Sequence, residues 1–239
     1  MSEFWAHVES IEGLGPITLS ADEARHVTSR RLRVGDRLTV FDGRGRLAEA
    51  HLASMARRET VVEVEMLREV PRAGAGFVLA SAIPKGDRVS TLLQMTSQLG
   101  LGTWQPLILD DSVVRKLDQD APRLQRILME SAKLARRAWA LKILSPLRLE
   151  EAVTQHGGAA GSVVAFGDRL GTGNHLRREV SLILIGPEAG FSESELAWLK
   201  TQEATPVSFS PYNLRIETAA IAAVTAYHCA PNAQETENA

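Results

Sequence analysis

The sequence has little of several features that mark whole classes of protein. It contains one cysteine, Cys229, so it can form no internal disulfide and cannot build a cysteine-based zinc cage. No stretch approaches the roughly 18 uninterrupted apolar residues of a membrane span, and charges stand near the N-terminus where a secretory signal has its apolar core. Its 6 histidines are scattered, which argues against a metal site. We therefore expect a cytoplasmic protein with no membrane partner and no metal.

The 239 residues include 44% hydrophobic and 23% charged residues, a composition typical of one large or two small globular domains. The net charge of −2 argues against a general nucleic-acid binder, but the basic residues are unevenly distributed. Residues 25–46 hold seven arginines against two aspartates, and residues 111–142 hold eight basic against four acidic residues. Arginine-rich patches are compatible with selective RNA contact, because the guanidinium binds phosphate in bidentate fashion. Solvated faces with ordinary ion pairs are the alternative.

The pattern changes near residues 71–76, a segment of proline, glycine and other small residues that reads as a domain boundary. Before it, apolar and polar residues alternate on both sides of residues 42–45, which predicts a β-hairpin in a small β-rich domain over residues 1–71. That domain also has a short helix capped by Ser20, with Glu23 completing a capping box.

From residue 77 to residue 239 strands and helices alternate, which predicts an α/β domain with a mainly parallel sheet. The apolar runs VLASAI and LILIG are continuous, as strands buried on both faces should be. The helices are predicted at residues 87–99, 122–139, 149–155, 192–200 and 215–228. Asp87, which follows Lys85 and Gly86, is the predicted N-cap of the first of these.

Three loops that follow three consecutive strands form the default pocket, at residues 166–169, 186–191 and 209–215. Ligands of open α/β sheets gather beyond the carboxyl ends of strands. The fingerprints GxGxxG, GxxxxGK[ST] and GxSxG are all absent, which argues against a dinucleotide dehydrogenase, a P-loop nucleotidase and a GxSxG hydrolase. A local structural role for the second loop stays open, since Ser192 and Glu195 predict a capping box.

The last helix begins with two chemically capable residues, Arg215 and Glu217. Residues two apart do not face each other on a helix, so the two cannot be a mutual pair if both are helical. One of them is then free for a ligand, although a glutamate in the first turn also stabilises a helix through its dipole.

Four motifs occur in order along the chain: FDGRG at 41–45, KGDR at 85–88, GPEAGFS at 186–192 and LRIETA at 214–219. Together with their flanks they resemble the RsmE family, S-adenosylmethionine-dependent methyltransferases that modify N3 of a uridine in 16S rRNA. The resemblance implies a SPOUT-type α/β domain whose C-terminal trefoil knot forms the cofactor pocket, preceded by a small PUA-like β-barrel domain that binds RNA. It also implies a homodimer.

The resemblance also implies roles for individual residues, carried over by position. Arg215 and Glu217 would be catalytic, beside the methyl group or the target base. S-adenosylmethionine would contact Phe166, Gly167, Asp168, Gly186, Pro187, Glu188, Gly190, Phe209, Ser210 and Leu214. The RNA would contact His26, Arg30, Arg31, Arg33, Lys85, Arg88 and Arg137.

The chain departs from the family pattern at Ala189, Phe209, Ser210, Tyr212 and Ile216, where the family usually has Gly, Leu, Gly, Arg and Thr. Two alternatives therefore stand beside uridine-N3 methylation. One is an RNA-binding or ribosome-assembly paralogue that has lost catalysis, and the other is a SPOUT enzyme that acts on another RNA position.

Overall fold

The computed structural model describes residues 4–56, 59–72, 76–157, 162–171, 176 and 179–230. Contacts along the backbone divide the chain into two units, one made of Met1–Gly74 with Met129–Ala140 and the other of Ala75–Leu128 with Leu141–Ala239. This division differs from the predicted one, in which residues 129–140 belong to the second domain, because these residues cluster with the first unit. Residues 73–75 of the predicted boundary lie outside the described residues.

The first unit is built on a five-stranded sheet. Its strands are β1 (Trp5–His7), β2 (Gly15–Thr18), β3 (Arg37–Phe41), β4 (Arg46–Met55) and β5 (Thr60–Glu69), in the order β1-β3-β4-β5-β2. Strands β3 and β4 pair in antiparallel fashion, from Phe41 opposite Leu47 to Arg37 opposite His51, which confirms the predicted hairpin. Buried aliphatic side chains such as Val40, Leu52 and Val62 form the core of this unit, in agreement with the alternating pattern of the sequence.

Helix α1 (Ala21–Ser29) begins as predicted, since the Ser20 side chain accepts a hydrogen bond from the Glu23 N–H at 3.3 Å. The predicted capping box is only half formed. The Glu23 carboxylate accepts from the Lys133 ammonium at 2.7 Å, and the Glu23 side chain is only 6% exposed. A buried carboxylate gains more from a cation than from a neutral backbone donor, which explains the departure from the local pattern.

Helix α3 (Pro122–Leu134) is shorter than the predicted 122–139. The chain leaves the helix at Arg136, whose φ of 53° lies in the left-handed region. Residues 138–140 then bind the hairpin turn: the Gly45 N–H donates to the Ala138 carbonyl at 3.0 Å, and the Ala140 N–H donates to the Gly43 carbonyl at 2.9 Å. These bonds to a segment far away in sequence decide where the helix ends.

The second unit is built on a parallel sheet, as predicted. Its strands are β6 (Val78–Ala82), β7 (Thr103–Ile108), β8 (Lys142–Ile143), β9 (Leu147–Arg148), β10 (Val163–Gly167), β11 (Val180–Ile185) and β12 (Thr205–Val207). The order is β12-β10-β11-β6-β7-β8, with β9 also on β7. In the continuous apolar strands β6 and β11, side chains on both faces are buried, for example Leu79, Ala80, Ile183 and Leu184. Strand order therefore departs from chain order, with β10 between β11 and β12.

The remaining helices are α2 (Arg88–Gln98), α4 (Leu149–Gly157), α5 (Glu193–Thr201) and α6 (Ile216–Cys229), each within two residues of its predicted bounds. Asp87 occupies the N-cap position of α2, but its carboxylate makes no cap bond and accepts instead from Arg123 at 2.7 Å. Among the described residues, no helix combines the length and the apolar character required to cross a bilayer.

Candidate functional site

A cleft of about 390 Å³ opens at the carboxyl ends of β10, β11 and β12. These three strands are adjacent and parallel, so the loops that follow them meet at one edge of the sheet. The cleft is lined by Gly167, Asp168, Arg169, Leu170, Ile185, Gly186, Pro187, Glu188, Ala189, Gly190, Phe191, Leu196, Phe209, Ser210, Tyr212, Asn213, Leu214 and Ala219. Nine of the ten residues predicted to contact a cofactor are among them.

Two glycines keep the cleft open where backbone segments approach each other. A Cβ on Gly186 would stand 3.2 Å from the carbonyl carbon of Gly190 and 3.3 Å from the ring of Phe191. A Cβ on Gly167 would stand 3.2 Å from Ile185 Cδ1. Both contacts are tighter than ordinary van der Waals packing, so any larger side chain would displace the walls of the cleft.

The capping box that supports the second loop is fully formed. The Ser192 hydroxyl accepts from the Glu195 N–H at 3.2 Å, and Glu195 Oε2 accepts from the Ser192 N–H at 2.8 Å. The second carboxylate oxygen, Oε1, accepts from the Asp110 N–H at 3.0 Å. The local structural role and the wall of the cleft therefore coexist, since the cap fixes the turn that forms the wall.

Phe166 is the exception among the residues predicted to contact a cofactor. It is buried in β10 and packs edge-on against the Phe191 ring, with 5.9 Å between the ring centroids. Side chains alternate along a strand, so Phe166 faces away from the side on which Gly167 opens the cleft. The predicted cofactor contact of Phe166 stays a prediction, and its ring packs against a residue that lines the cleft.

A smaller cavity of about 120 Å³ shares Pro187 and Glu188 with the cleft. Two residues predicted to contact RNA, Lys85 and Arg88, line it. Arg88 Nη1 donates to Glu188 Oε1 at 2.8 Å, so this ion pair lies on the shared wall. Ile216, the first residue of α6, also lines the smaller cavity.

The two predicted catalytic residues flank Ile216 and line neither cavity. Arg215 is the exposed N-cap residue of α6, and no ion pair joins it to Glu217 among the described residues. Glu217 is 8% exposed, and its Oε2 atom is buried with no hydrogen-bond partner in the described part of the chain. Buried polar atoms without partners are rare and call for an explanation.

The other residues predicted to contact RNA lie in the first unit. His26 and Arg30 line a third cavity, whereas Arg31 and Arg33 are exposed outside it. Arg137 is half-buried, and burial, together with the charge of Arg72, lowers its pKa below the usual value. Its neighbour Arg136 stands on the cavity wall instead.

The first unit contains a cluster of three side chains of the kind that bind metal ions, and the ammonium group of a lysine lies within this cluster. Ligand atoms of Glu23, His26 and Glu130 lie within 4.8 Å of one another. The Lys133 ammonium stands among them, 2.7 Å from Glu23 Oε1, 2.8 Å from Glu130 Oε1 and 3.0 Å from His26 Nδ1. The three N–H groups of the Lys133 ammonium are thus matched by three acceptor atoms, and the lysine occupies the position that a metal ion would take.

The predicted pocket loops at 166–169, 186–191 and 209–215 contain Arg169, Phe191 and Asn213, although the cofactor contacts implied by the resemblance leave these three out. Sequence reasoning missed Leu170 and Ala219 in the cleft. Leu170 directly follows the first loop, so extending that loop by one residue includes it. Ala219 lies one turn into α6, and no motif marks it.

Comparison with known proteins agrees with this geometry. The model of the RNA methyltransferase domain family matches residues 74–228, and that of the RNA methyltransferase PUA domain matches residues 19–65. The ribosomal RNA small subunit methyltransferase E of Synechocystis is 28% identical over 196 residues, which cover 79% of this chain and 64% of that protein's length.

Two solved structures are similar over nearly the whole chain. A probable rRNA-methyltransferase from Porphyromonas gingivalis is 26% identical with a TM-score of 0.81, covering 94% of this chain and 97% of that one. The ribosomal RNA small subunit methyltransferase E from Neisseria gonorrhoeae, bound to S-adenosyl methionine, is 21% identical with a TM-score of 0.79, covering 94% and 96%. The predicted fold class, a SPOUT-type α/β domain with a C-terminal trefoil knot after a small PUA-like β-barrel domain, is thereby confirmed. The chain belongs to the RsmE family of RNA methyltransferases.

Proposed function

We propose that the protein transfers a methyl group from S-adenosylmethionine to N3 of a uridine in 16S rRNA. The observation that carries this function is the cleft, which nine of ten predicted cofactor residues line, next to a smaller cavity bordered by two cations and the start of α6. The Synechocystis and Neisseria relatives are named for methylation of small subunit rRNA, which supports the substrate.

The residues of the cleft fit S-adenosylmethionine. A Cβ on Gly167 or Gly186 would stand 3.2 Å from a residue of the cleft wall, so these glycines let the segments that form the wall approach each other closely. Asp168 Oδ1 accepts from the Leu170 N–H at 2.8 Å, which fixes a half-buried carboxylate in a turn on the cleft wall. When bound, the cofactor supplies a methyl group on a positively charged sulfur, open to attack by a nucleophile from the opposite side.

The protein then has to position uracil N3 and remove its imide proton. Positioning supplies much of the effect, because oriented reactants reach effective molarities on the order of 10⁵ M or more. We assign the proton to Glu217, which lines neither cavity but directly follows Ile216 of the smaller one, and whose buried Oε2 has no partner among the described residues. Arg215, exposed at the start of α6, stabilises the negative charge that develops on the uracil.

The target uridine has to be unpaired or flipped, because a paired base hides its N3 edge. Lys85 and Arg88 border the smaller cavity, where they are placed to meet the phosphates that flank such a base. Arg88 is already paired with Glu188, whereas the Lys85 ammonium makes no ion pair within the described ranges. Lys85 is thus the cation available for RNA on this wall.

A homodimer in the cytoplasm, where ribosomal RNA is found, completes the proposal. The homodimer follows from the family resemblance, and the cytoplasmic setting follows from an rRNA substrate. Analytical ultracentrifugation of the purified chain tests the homodimer. A monomer that still methylates would refute the need for a second copy.

A blocked cleft would favour the non-catalytic alternative. Of the five departures from the family pattern, Ala189, Phe209, Ser210 and Tyr212 line the cleft and Ile216 lines the smaller cavity. The larger groups at Phe209 and Ser210 nevertheless leave a cavity of about 390 Å³, within the range of about 300–1,000 Å³ of ligand sites. An open cleft favours the enzyme.

Glu217→Gln is the decisive variant, with Glu193→Gln as its matched control, since Glu193 is an exposed first-turn glutamate of α5. Each variant is expressed in a strain lacking the gene, and 3-methyluridine in 16S rRNA is measured by nucleoside mass spectrometry. Loss of a catalytic base is expected to slow methylation by a factor of about 10² or more, with S-adenosylmethionine binding retained in calorimetry. Unchanged methylation by Glu217→Gln would refute its role, and 3-methyluridine persisting in the deletion strain would refute the substrate.

A further inference from the structure

The third cavity, within the first unit, has no role in the reaction described above. It measures about 790 Å³, a volume in the range of about 300–1,000 Å³ of small-ligand sites. Its walls combine cations, two carboxylates, apolar side chains and neutral donors. They are formed by Phe4, Trp5, His26, Ser29, Arg30, Leu32, Asp36, Arg37, Glu130, Lys133, Leu134 and Arg136.

Two of the cations that line the cavity make no ion pair within the described part of the chain. Of its four lysine and arginine residues, Lys133 is held by Glu23 and Glu130 at 2.7 and 2.8 Å. Arg30 and Arg136 are exposed, and neither side chain makes an ion pair or a hydrogen bond within the described part of the chain. A guanidinium in this state offers a planar fork that binds a phosphate through two parallel hydrogen bonds.

The cavity wall also contains neutral donors and apolar groups, beside the carboxylates of Asp36, which accepts from the Arg33 N–H, and Glu130, which accepts from Lys133. The Lys133 ammonium can only donate, so His26 Nδ1 accepts from it at 3.0 Å and the ring proton of a neutral His26 lies on Nε2. Trp5 is 4% exposed, and its indole N–H has no partner among the described residues. Phe4 is half-buried, and Leu134 is an apolar side chain with 70% exposure. Such walls suit the faces and carbonyl oxygens of a nucleobase.

We propose that this cavity holds one unpaired nucleotide of the RNA substrate, with its phosphate on Arg30 and Arg136 and its base against the apolar wall. The inference rests on the proposed function, since it takes RNA as the substrate. A paired and stacked base cannot enter a cavity in this way, so the site selects single-stranded segments of the RNA. It adds a second point of recognition to the site of methyl transfer.

Arg136 allows a test that spares the fold. It follows α3 with φ 53°, and the N–H of the next residue donates to the Ala132 carbonyl at 2.9 Å, a helix end at which glycine is common. Arg136→Gly therefore removes the guanidinium and relaxes the backbone at the same time. Glu203, with the same φ of 53° after α5, provides Glu203→Gly as a matched backbone control.

The measurement is fluorescence anisotropy with a short single-stranded RNA and with the same strand in a duplex, using the full-length protein. We expect the wild type to bind the single strand more tightly. Arg136→Gly is expected to weaken single-strand binding about tenfold and to lower the slope of log affinity against log salt by about 0.7. Leu134→Glu is expected to weaken single-strand binding selectively.

Two controls are expected to bind like the wild type: Glu203→Gly, and Lys200→Gln, which removes an exposed cation that lines none of the three cavities. The thermal midpoint of Arg136→Gly should equal or exceed that of the wild type. Equal affinity for both RNA forms, or wild-type affinity in Arg136→Gly, would overturn the inference.

Methylation of rRNA is measured separately, so the two proposals fail in different ways. A protein that methylates while Arg136→Gly keeps its RNA affinity refutes the nucleotide cavity alone. A protein that never methylates, yet loses single-strand affinity in Arg136→Gly, refutes the enzymatic function alone.

Discussion

Gly186→Ala is expected to weaken binding of S-adenosylmethionine without unfolding the protein. The added methyl group would lie 3.2 Å from the Gly190 carbonyl carbon and 3.3 Å from two atoms of the Phe191 ring, where ordinary contact starts at 3.4 Å. Both neighbours line the cleft, so relief of these contacts moves its walls. Overpacking of this kind costs about 1–3 kcal/mol. If the cleft bears that cost, affinity falls by a factor of about 5 to about 150.

Isothermal titration calorimetry with S-adenosylmethionine and S-adenosylhomocysteine measures this effect. Gly13→Ala is the matched control, because a Cβ at Gly13 meets nothing within 4 Å. It should bind both ligands like the wild type. Wild-type affinity in Gly186→Ala would show that the ligand lies elsewhere, and the assignment of the cleft would fall.

Three further predictions concern stability and are measured by chemical denaturation. Lys133→Met is expected to destabilise the first unit by about 3–5 kcal/mol, because it leaves the Glu23 carboxylate, 6% exposed, without its cation. Burial lowers the pKa of His7, so the unfolded chain binds a proton at this residue more readily than the folded chain does. The contribution of His7 to stability is therefore fully present above about pH 6.5 and is lost as the pH falls towards the lower pKa of the folded state. His7→Gln is expected to flatten this dependence. Gly45→Ala is expected to cost about 2–5 kcal/mol, because φ is +103° and the new Cβ would overlap the Trp139 ring.

Each of these expectations can fail on its own. Wild-type stability in Lys133→Met would mean that water reaches the Glu23 carboxylate. An unchanged pH profile in His7→Gln would mean that another group carries the acid sensitivity. A stable Gly45→Ala would mean that the Trp139 indole moves aside at little cost.

Features that depend on neighbours in sequence were predictable. The hairpin around residues 42–45 and the capping box of Ser192 and Glu195 each need only a few adjacent residues, and both are present. The cleft was predictable in outline, because the carboxyl ends of parallel strands meet at one edge of a sheet. The knot was not, since no local propensity describes the passage of one segment past another. It entered only through the family resemblance.

Features that depend on distant segments were missed. Helical propensity continues past Leu134, but the bonds from residues 138–140 to the hairpin turn end α3 early. Glu23 suits a capping box locally, yet Lys133, more than a hundred positions away, takes its carboxylate. Phe166 belongs to a predicted pocket loop but does not line the cleft, because its buried ring packs against Phe191, 25 positions further along the chain.

The discontinuity of the first unit has a consequence for biosynthesis. One of its apolar clusters joins Trp5, Phe41 and Leu47 to Ala132 and Ala138. Chains emerge from the ribosome N-terminus first, so the apolar side chains of the first strands stay exposed until residues 129–140 have been synthesised. A fragment that stops at residue 74 would keep that exposed surface for good, which marks it as prone to aggregation. Excision of this unit for separate study therefore calls for a spliced chain that carries residues 129–140.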